Sequence, residues 1–310
     1  MPNKNALTVG LVQQRWYPDA QEHQQRLEAG IAEAANRQAT LVCLQELSLS
    51  PYFCSRADEK PTQYIEDLES GVSVSFAREM AKKYKVYIVI SLVEKGERSN
   101  CYNTAVTVSP AGELVGVTRK QHIPSGDGYN ETHSFTPGLP LYPIHDVDGH
   151  IIATPTCYDQ WFPELARHYG IKNTELIIYP TAIGSEPTAL GFDSKPMWEV
   201  IQRSHAIANN CFVVAINRVG SETMDCGKDG EERALTFYGS SFICGPNGDI
   251  LAQAPRDEDA VLVATLDPAL RKLCQNLFPF LEQRRPKDYY ALTDGENPKL
   301  LEKLYGANGI

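Results

Sequence analysis

Residues 101–116 read CYNTAVTVSPAGELVG and residues 237–252 read FYGSSFICGPNGDILA. Each is an apolar alternating run, a turn carrying Pro and Gly, and a second short run, the pattern of a β-hairpin. Aligned, they pair Tyr102 with Tyr238, Pro110 with Pro246 and Gly112 with Gly248, an offset of 136 positions (237 against 101). Nearly the same offset, 135 (175 against 40), relates Thr40-Leu41-Val42-Cys43-Leu44-Gln45-Glu46 to Glu175-Leu176-Ile177-Ile178-Tyr179-Pro180-Thr181. Two matching offsets argue for a duplicated half of helices and strands, with two sheets packed on each other inside one domain.

Outward from the repeat, the element order is layered. Residues 7–13 alternate as a strand, and residues 19–38 place Leu27, Ile31, Ala34 and Ala35 on one helical face. A short buried strand over 40–44, a helix near 73–84 and a strand over 86–93 follow, an α/β order. Residues 121–140 are polar and carry Pro124, Gly126, Gly128, Pro137 and Gly138, a long loop of the kind that often carries function. No interdomain linker interrupts the chain. The expectation is a single domain over 1–310 whose tail, from about residue 286, reaches outside the core.

Composition narrows the class. With 310 residues, 42% of them hydrophobic and 22% charged, the chain can bury a large core without staples. Lys+Arg 29 against Asp+Glu 39 gives a net charge of −10, which repels phosphate backbones and anionic lipid, so neither nucleic acid nor membrane is an expected partner. The longest apolar run, residues 86–93, falls far short of the roughly 20 residues of a membrane span. The first residues lack the features of a secretory signal, and the eight cysteines are dispersed, which suggests reduced thiols in a cytoplasmic protein. No Cys-x-x-Cys or His-Glu-x-x-His pair suggests a metal, and no glycine-rich phosphate loop or Gly-x-Ser-x-Gly elbow is present. The expectation is chemistry without metal or organic cofactor.

Three residues stand where an apolar strand run stops, the place at which α/β sheets present ligand-binding groups. They are Glu46, Lys120 and Cys157. Taken singly they read as a solvated acid, a surface lysine and a small buried hydrophobe. Together they form a chemically complete set: a thiol, a carboxylate to take its proton, and an ammonium to hold a developing oxyanion.

Gln45-Glu46 after a strand, Arg119-Lys120-Gln121-His122-Ile123-Pro124 before a glycine-rich loop, and Cys157-Tyr158-Asp159-Gln160-Trp161-Phe162-Pro163-Glu164 resemble the Glu, Lys and Cys motifs of the nitrilase (carbon-nitrogen hydrolase) superfamily. The likeness runs from Leu7 to about Tyr290. It implies a four-layer αββα sandwich, a homo-oligomer, and Glu131 as a fourth catalytic residue. Within the superfamily, Tyr179-Pro180-Thr181-Ala182-Ile183-Gly184-Ser185-Glu186-Pro187 and Ala215-Ile216-Asn217-Arg218-Val219-Gly220 are most similar to the N-carbamoylputrescine amidohydrolases. Nitrilases proper carry Trp-Glu after the cysteine, where this chain has Tyr158-Asp159, which favours an amide over a nitrile. Pro155 departs from the aliphatic strand that usually precedes the cysteine, because proline cannot donate a ladder hydrogen bond.

The implied reaction is hydrolysis of a carbamoyl or amide C–N bond of a small molecule by a Glu-Lys-Cys thiol mechanism, with Lys120 and the Tyr158 N–H as oxyanion donors. For the substrate's tail, no arginine follows Cys157, so a cationic tail is expected, with Glu186 and Asp193 as candidate receptors and Trp161 as a further binding residue. Arg218 is the candidate for an anionic tail. N-carbamoylputrescine is the expected substrate, in polyamine biosynthesis; β-ureidopropionase or ω-amidase activity, and a non-catalytic thiol sensor, are the alternatives.

Overall fold

Two strand paths carry the molecule, and each is the other's copy. The computed structural model describes residues 6–56, 61–187, 189, 191–226 and 232–289. In chain order the first half contains β1 (Leu7–Gln13), α1 (Ala20–Asn36), β2 (Leu41–Leu44), β3 (Ile65–Glu66), α2 (Val72–Tyr84), β4 (Tyr87–Lys95), β5 (Cys101–Val108) and β6 (Leu114–Arg119). The second contains β7 (His145–Val147), β8 (His150–Ala153), α3 (Pro163–Ile171), β9 (Leu176–Pro180), α4 (Lys195–Asn209) and β10 (Phe212–Ile216). There follow β11 (Val219–Cys226), β12 (Glu232–Tyr238), β13 (Phe242–Cys244), β14 (Ile250–Gln253), β15 (Ala260–Leu266) and α5 (Pro268–Leu277).

One sheet has the order β15-β1-β2-β4-β5-β6, with β3 beside β4; the other has β7-β8-β9-β10-β13-β14. The pairings correspond throughout: β1–β2–β4 and β8–β9–β10 are parallel, and the outer neighbours on both sides are antiparallel. The register repeats too. Thr107 faces Gly116 and Val108 faces Leu114, with a bulge between; 136 residues on, Ile243 faces Ala252 and Cys244 faces Ile250, again across a bulge. Both turns close on a glycine at positive φ, Gly112 at 81° and Gly248 at 82°, where a side chain would be strained.

Period-two alternation explains how the layers stack. Leu41 and Cys43 of β2 face Leu176 and Ile178 of β9 across an apolar seam between the sheets, joined by Leu7, Val9 and Leu11. The intervening Val42 and Leu44 pack instead on Leu27, Ile31, Val74 and Met80 of α1 and α2. Ile177 and Tyr179 likewise pack on Leu165, Tyr169, Trp198 and Ala206 of α3 and α4. The result is the αββα sandwich, held by buried aliphatic side chains that each stabilise by about 1.5–3 kcal/mol. Among the described residues no helix is long and apolar enough to cross a membrane.

Three local expectations need correction. Phe237 and Tyr238 do not open the second hairpin: they end β12, which pairs with β11 as a two-stranded ribbon, and the chain turns through Gly239 and Ser240 before β13. The strand before Cys157 stops at Ala153, so Pro155 lies beyond the ladder and removes no bond from it. The helix expected from Trp161 starts at Pro163, after a separate 3-10 turn over Cys157–Trp161. Of the expected tail, Pro286–Asp288 forms a short exposed turn, and residues 290–310 lie outside the described residues.

Candidate active site

β2 delivers Glu46 to one end of the first sheet. The strand stops at Leu44, and the chain enters a buried loop in which Leu47 takes φ 49°. Neighbouring strands satisfy that loop: Gln14 N–H donates to Gln45 Oε1 at 3.0 Å, Leu47 N–H to Ser91 Oγ at 3.0 Å and Ser48 N–H to Ser91 O at 2.9 Å. Glu46 is fully buried. Its Oε1 accepts from Asn103 Nδ2 at 2.7 Å and Lys120 Nζ at 2.8 Å, while Oε2 has no hydrogen-bond partner among the described residues.

Lys120 follows β6 directly, its N–H bonded to Asn103 O at 2.8 Å. Its ammonium also reaches both oxygens of Glu131, at 2.8 and 2.6 Å. Glu131 sits on a short turn inside the long polar loop and accepts from Tyr52 Oη at 2.8 Å. Burial disfavours the lysine's charge, but Glu131 and Glu46 outweigh it and hold the ammonium well above its ordinary value. Burial pushes Glu131 up to about 7, with the Glu46 charge adding and Lys120 opposing. One buried cation thus serves two carboxylates, an arrangement that tolerates the loss of no member cheaply.

Cys157 begins the 3-10 turn at φ 43°, a left-handed conformation that costs energy for a non-glycine residue and directs the side chain off the strand line. Its Sγ lies 3.9 Å from Ala182 O. Burial, then the Glu46 charge, raises the thiol well above its usual range. Asp159 fastens this turn to the Lys120 segment: it accepts from Thr156 N at 3.1 Å, His122 N at 2.9 Å and Gln121 N at 3.3 Å, and pairs with His122 Nδ1 at 2.8 Å. Within this turn the Asp159 N–H donates to Thr156 O at 3.1 Å.

Glu46, Lys120 and Glu131 are therefore in direct contact, with Cys157 within their electrostatic reach. The binding candidates separate. Glu186 is half-buried on the loop after β9, and no ion pair engages it among the described residues. Burial raises the phenols of Tyr129 and Tyr238, with the charges of Glu186 and Cys157 adding, and the loop that carries Glu186 also places Ala182 O 3.9 Å from Cys157 Sγ. Tyr129 Oη steadies that loop, accepting from Gly184 N at 2.9 Å and donating to Ser185 O at 3.3 Å. Trp161 is partly buried against the cluster around Tyr179 and Trp198, and the Tyr158 ring is exposed, edge-on to Phe162.

Asp193 and Arg218 are occupied elsewhere. Asp193 takes a bidentate contact from Arg256, at 2.8 Å to each oxygen, on the surface. Arg218 is fully buried, with its guanidinium on Glu222 and on the backbone carbonyls of residues 46, 47 and 50. A cation enclosed in this way is not open to an anionic tail, which corrects that assignment.

The sequence reading does not reach Asn103 or Tyr52, and it gives Asp159 only as part of the cysteine motif, without its contacts. Asn103 had a signal: the hairpin register sets Thr104 opposite Arg119, which puts residue 103 beside Lys120. Tyr52 and Asp159 act across long loops, and no periodicity announces such contacts.

Comparison with known proteins gives a consistent picture. The family described as carbon-nitrogen hydrolase matches residues 8–275. A citrullinase of Francisella tularensis is 33% identical over 298 residues, covering 96% of this chain and 98% of that protein. An N-carbamoylputrescine amidase of Solanum lycopersicum is 35% identical over 301 residues, covering 96% and 99%. Among solved structures, a carbon-nitrogen hydrolase from Helicobacter pylori G27 superposes with a TM-score of 0.83 at 31% identity, over 94% of this chain and 99% of that one.

Proposed function

The chain belongs to the carbon-nitrogen hydrolase family and is an enzyme acting on amides, and on that premise we propose that it hydrolyses a carbamoyl C–N bond in a substrate with a cationic tail, of the N-carbamoylputrescine type. The observation that carries the tail assignment is Glu186: a half-buried carboxylate without an ion pair among the described residues, on the loop after β9 that also holds Ala182 O 3.9 Å from Cys157 Sγ. Arg218, the candidate for an anionic tail, is held by Glu222, and Arg256 is held by Asp193. The products are putrescine, carbon dioxide and ammonia.

The resting thiol is protonated, since burial and the Glu46 charge oppose the thiolate. Glu46 Oε2, the oxygen that neither Asn103 nor Lys120 occupies, takes the Sγ proton as Sγ adds to the carbonyl carbon. The oxyanion is met by the Tyr158 N–H and by one Lys120 N–H turned from Glu131, whose remaining contacts keep the ammonium in place. Glu46 returns the proton to the leaving nitrogen and the C–N bond breaks, leaving an S-acyl enzyme. A water then gives its proton to Glu46 and adds to the acyl carbon, the C–S bond breaks as Glu46 passes that proton to Sγ, and the carbamic acid released loses carbon dioxide, its remaining C–N bond breaking to give the second amine.

The test is ammonia release across N-carbamoylputrescine, citrulline, N-carbamoyl-β-alanine and neutral aliphatic amides. Citrulline shares the ureido group and an ammonium but adds a carboxylate. The expected order places N-carbamoylputrescine first by kcat/KM. A preference for N-carbamoyl-β-alanine would reject the cationic-tail reading while leaving the thiol mechanism intact.

A further inference from the structure

Arg218 stands just past the end of β10, and its side chain is fully buried. It is among the largest enclosed side chains in the protein, yet it borders neither the thiol nor Glu186 by any hydrogen bond. Its Nη2 donates to Glu46 O at 3.2 Å, Leu47 O at 3.0 Å and Ser50 O at 2.9 Å. Buried carbonyls in a loop must find donors, and these lie on a segment strained at Leu47. A planar guanidinium can gather several such acceptors at once, where an ammonium offers a single point of charge. The other hand of the fork, Nη1, meets Glu222 Oε1 at 2.6 Å. Glu222 Oε2 in turn accepts from the Tyr52 N–H at 2.7 Å, and Tyr52 Oη donates to Glu131 Oε1 at 2.8 Å.

We propose that Arg218 is the positioning residue for both site carboxylates. It sets Glu46 through the backbone of its loop, and it sets Glu131 through Glu222 and Tyr52. The inference rests on the reading of Glu46, Lys120, Glu131 and Cys157 as the reacting centre, and it gives Arg218 a part in rate without a part in substrate recognition. Because small misplacements of reacting groups are costly, loss of the fork should appear in kcat.

The experiment compares Arg218→Lys, Arg218→Met and Glu222→Gln with wild type and with Cys157→Ala, using steady-state rates on one cationic and one neutral amide and the single-turnover rate of acyl-enzyme formation. Thermal melts identify which variants fold. The expected result is a fall in kcat of about 10- to 100-fold for Arg218→Met and a smaller fall for Arg218→Lys, equal on both substrates, with KM changed less than about threefold. Acyl-enzyme formation falls in parallel. Glu222→Gln, which breaks only one arm, should lose about three- to tenfold in kcat. A folded Arg218→Met enzyme with wild-type kcat overturns the proposal, as does a loss confined to KM. If neither Arg218 variant folds, Glu222→Gln decides, and wild-type kcat there overturns the proposal. Cys157→Ala separates the two levels: if it stays active the reacting centre is wrong, whereas if it is dead and the Arg218 variants are normal, only the positioning inference fails.

Discussion

The two halves put different chemistry on corresponding strand ends. β2 and β9 occupy the same place in their sheets, and the residues that follow in register are Glu46 in the first and Thr181 in the second. β6 and β14 correspond likewise, and the position of Lys120 recurs 136 residues on as Arg256. Lys120 is wholly buried between two carboxylates, whereas Arg256 is half-exposed and paired with Asp193. β1 and β8 differ in a third way: β1 continues to Gln13, while β8 stops at Ala153 and turns out through Cys157. A common scaffold thus supplies the positions: residue identity separates Glu46 from the equally buried Thr181, and burial separates Lys120 from Arg256. In the first half a cation and two acids are shut from water, where their interaction is strong and removal of one is severe. In the second a similar cation and acid are screened.

The sharpest way to break this comparison is to remove the thiol or its base. Cys157→Ala should abolish turnover, with activity at no more than about a thousandth of wild type, while the melting transition stays cooperative, because a small side chain is lost and the proposed nucleophile with it. Glu46→Gln keeps the shape and the Asn103 contact but cannot accept the proton, so it should be similarly inactive. Ammonia release paired with thermal melts checks both. Substantial activity in Glu46→Gln would move the base to Glu131.

Lys120 comes next. Lys120→Ala should lower kcat at least about a hundredfold, as the loss of an oxyanion donor does. It should also destabilise the fold by about 3–5 kcal/mol, because Glu46 and Glu131 are left facing each other without their shared cation. Kinetics and denaturant unfolding read the two effects separately. A change in KM alone would assign Lys120 to ground-state binding.

How much of this was legible beforehand follows from the range of the forces involved. The positions of Glu46, Lys120 and Cys157 after apolar runs could be read because period-two alternation and the hairpin repeat are local signals; the repeat also pointed to two packed sheets, while the four αββα layers came from the family resemblance. Arg218 was misassigned because a charged residue after a strand looks available, and only the packed structure shows three carbonyls and Glu222 around it. Asp159 was noticed as a departure in the motif, yet its tie to His122 depends on a loop crossing from the other half. Contacts made between halves leave no periodic trace in the chain, and the site lies where the halves meet.

A smaller effect is expected at Glu186, the proposed tail receptor. Glu186→Gln removes a charge-assisted contact worth roughly 1.5–3 kcal/mol. It should lower kcat/KM for N-carbamoylputrescine by about one to two orders of magnitude and leave a neutral amide of equal length nearly unchanged. Equal losses on both would make Glu186 a support of its loop.

The smallest effect is expected at Asp193, and it tests the other side of the comparison. Its pairing with Arg256 has good bidentate geometry, but the side chains are 46% and 52% exposed, so water and salt weaken the attraction. The Arg256 contact, with the Lys195 N–H adding, lowers the Asp193 carboxyl below its ordinary range, which shows the charge is already satisfied by the protein. Asp193→Asn should therefore cost no more than about 1 kcal/mol of stability, less at high salt. It should change kcat/KM for the cationic substrate by less than about twofold, in contrast to Glu186→Gln. If Asp193→Asn instead matched Glu186→Gln in its substrate-selective loss, Arg256 would have to release Asp193 when substrate binds. The surface pair would then be a gate on the tail pocket, and the division between a buried, reactive charge cluster and a screened surface pair would fail at that point.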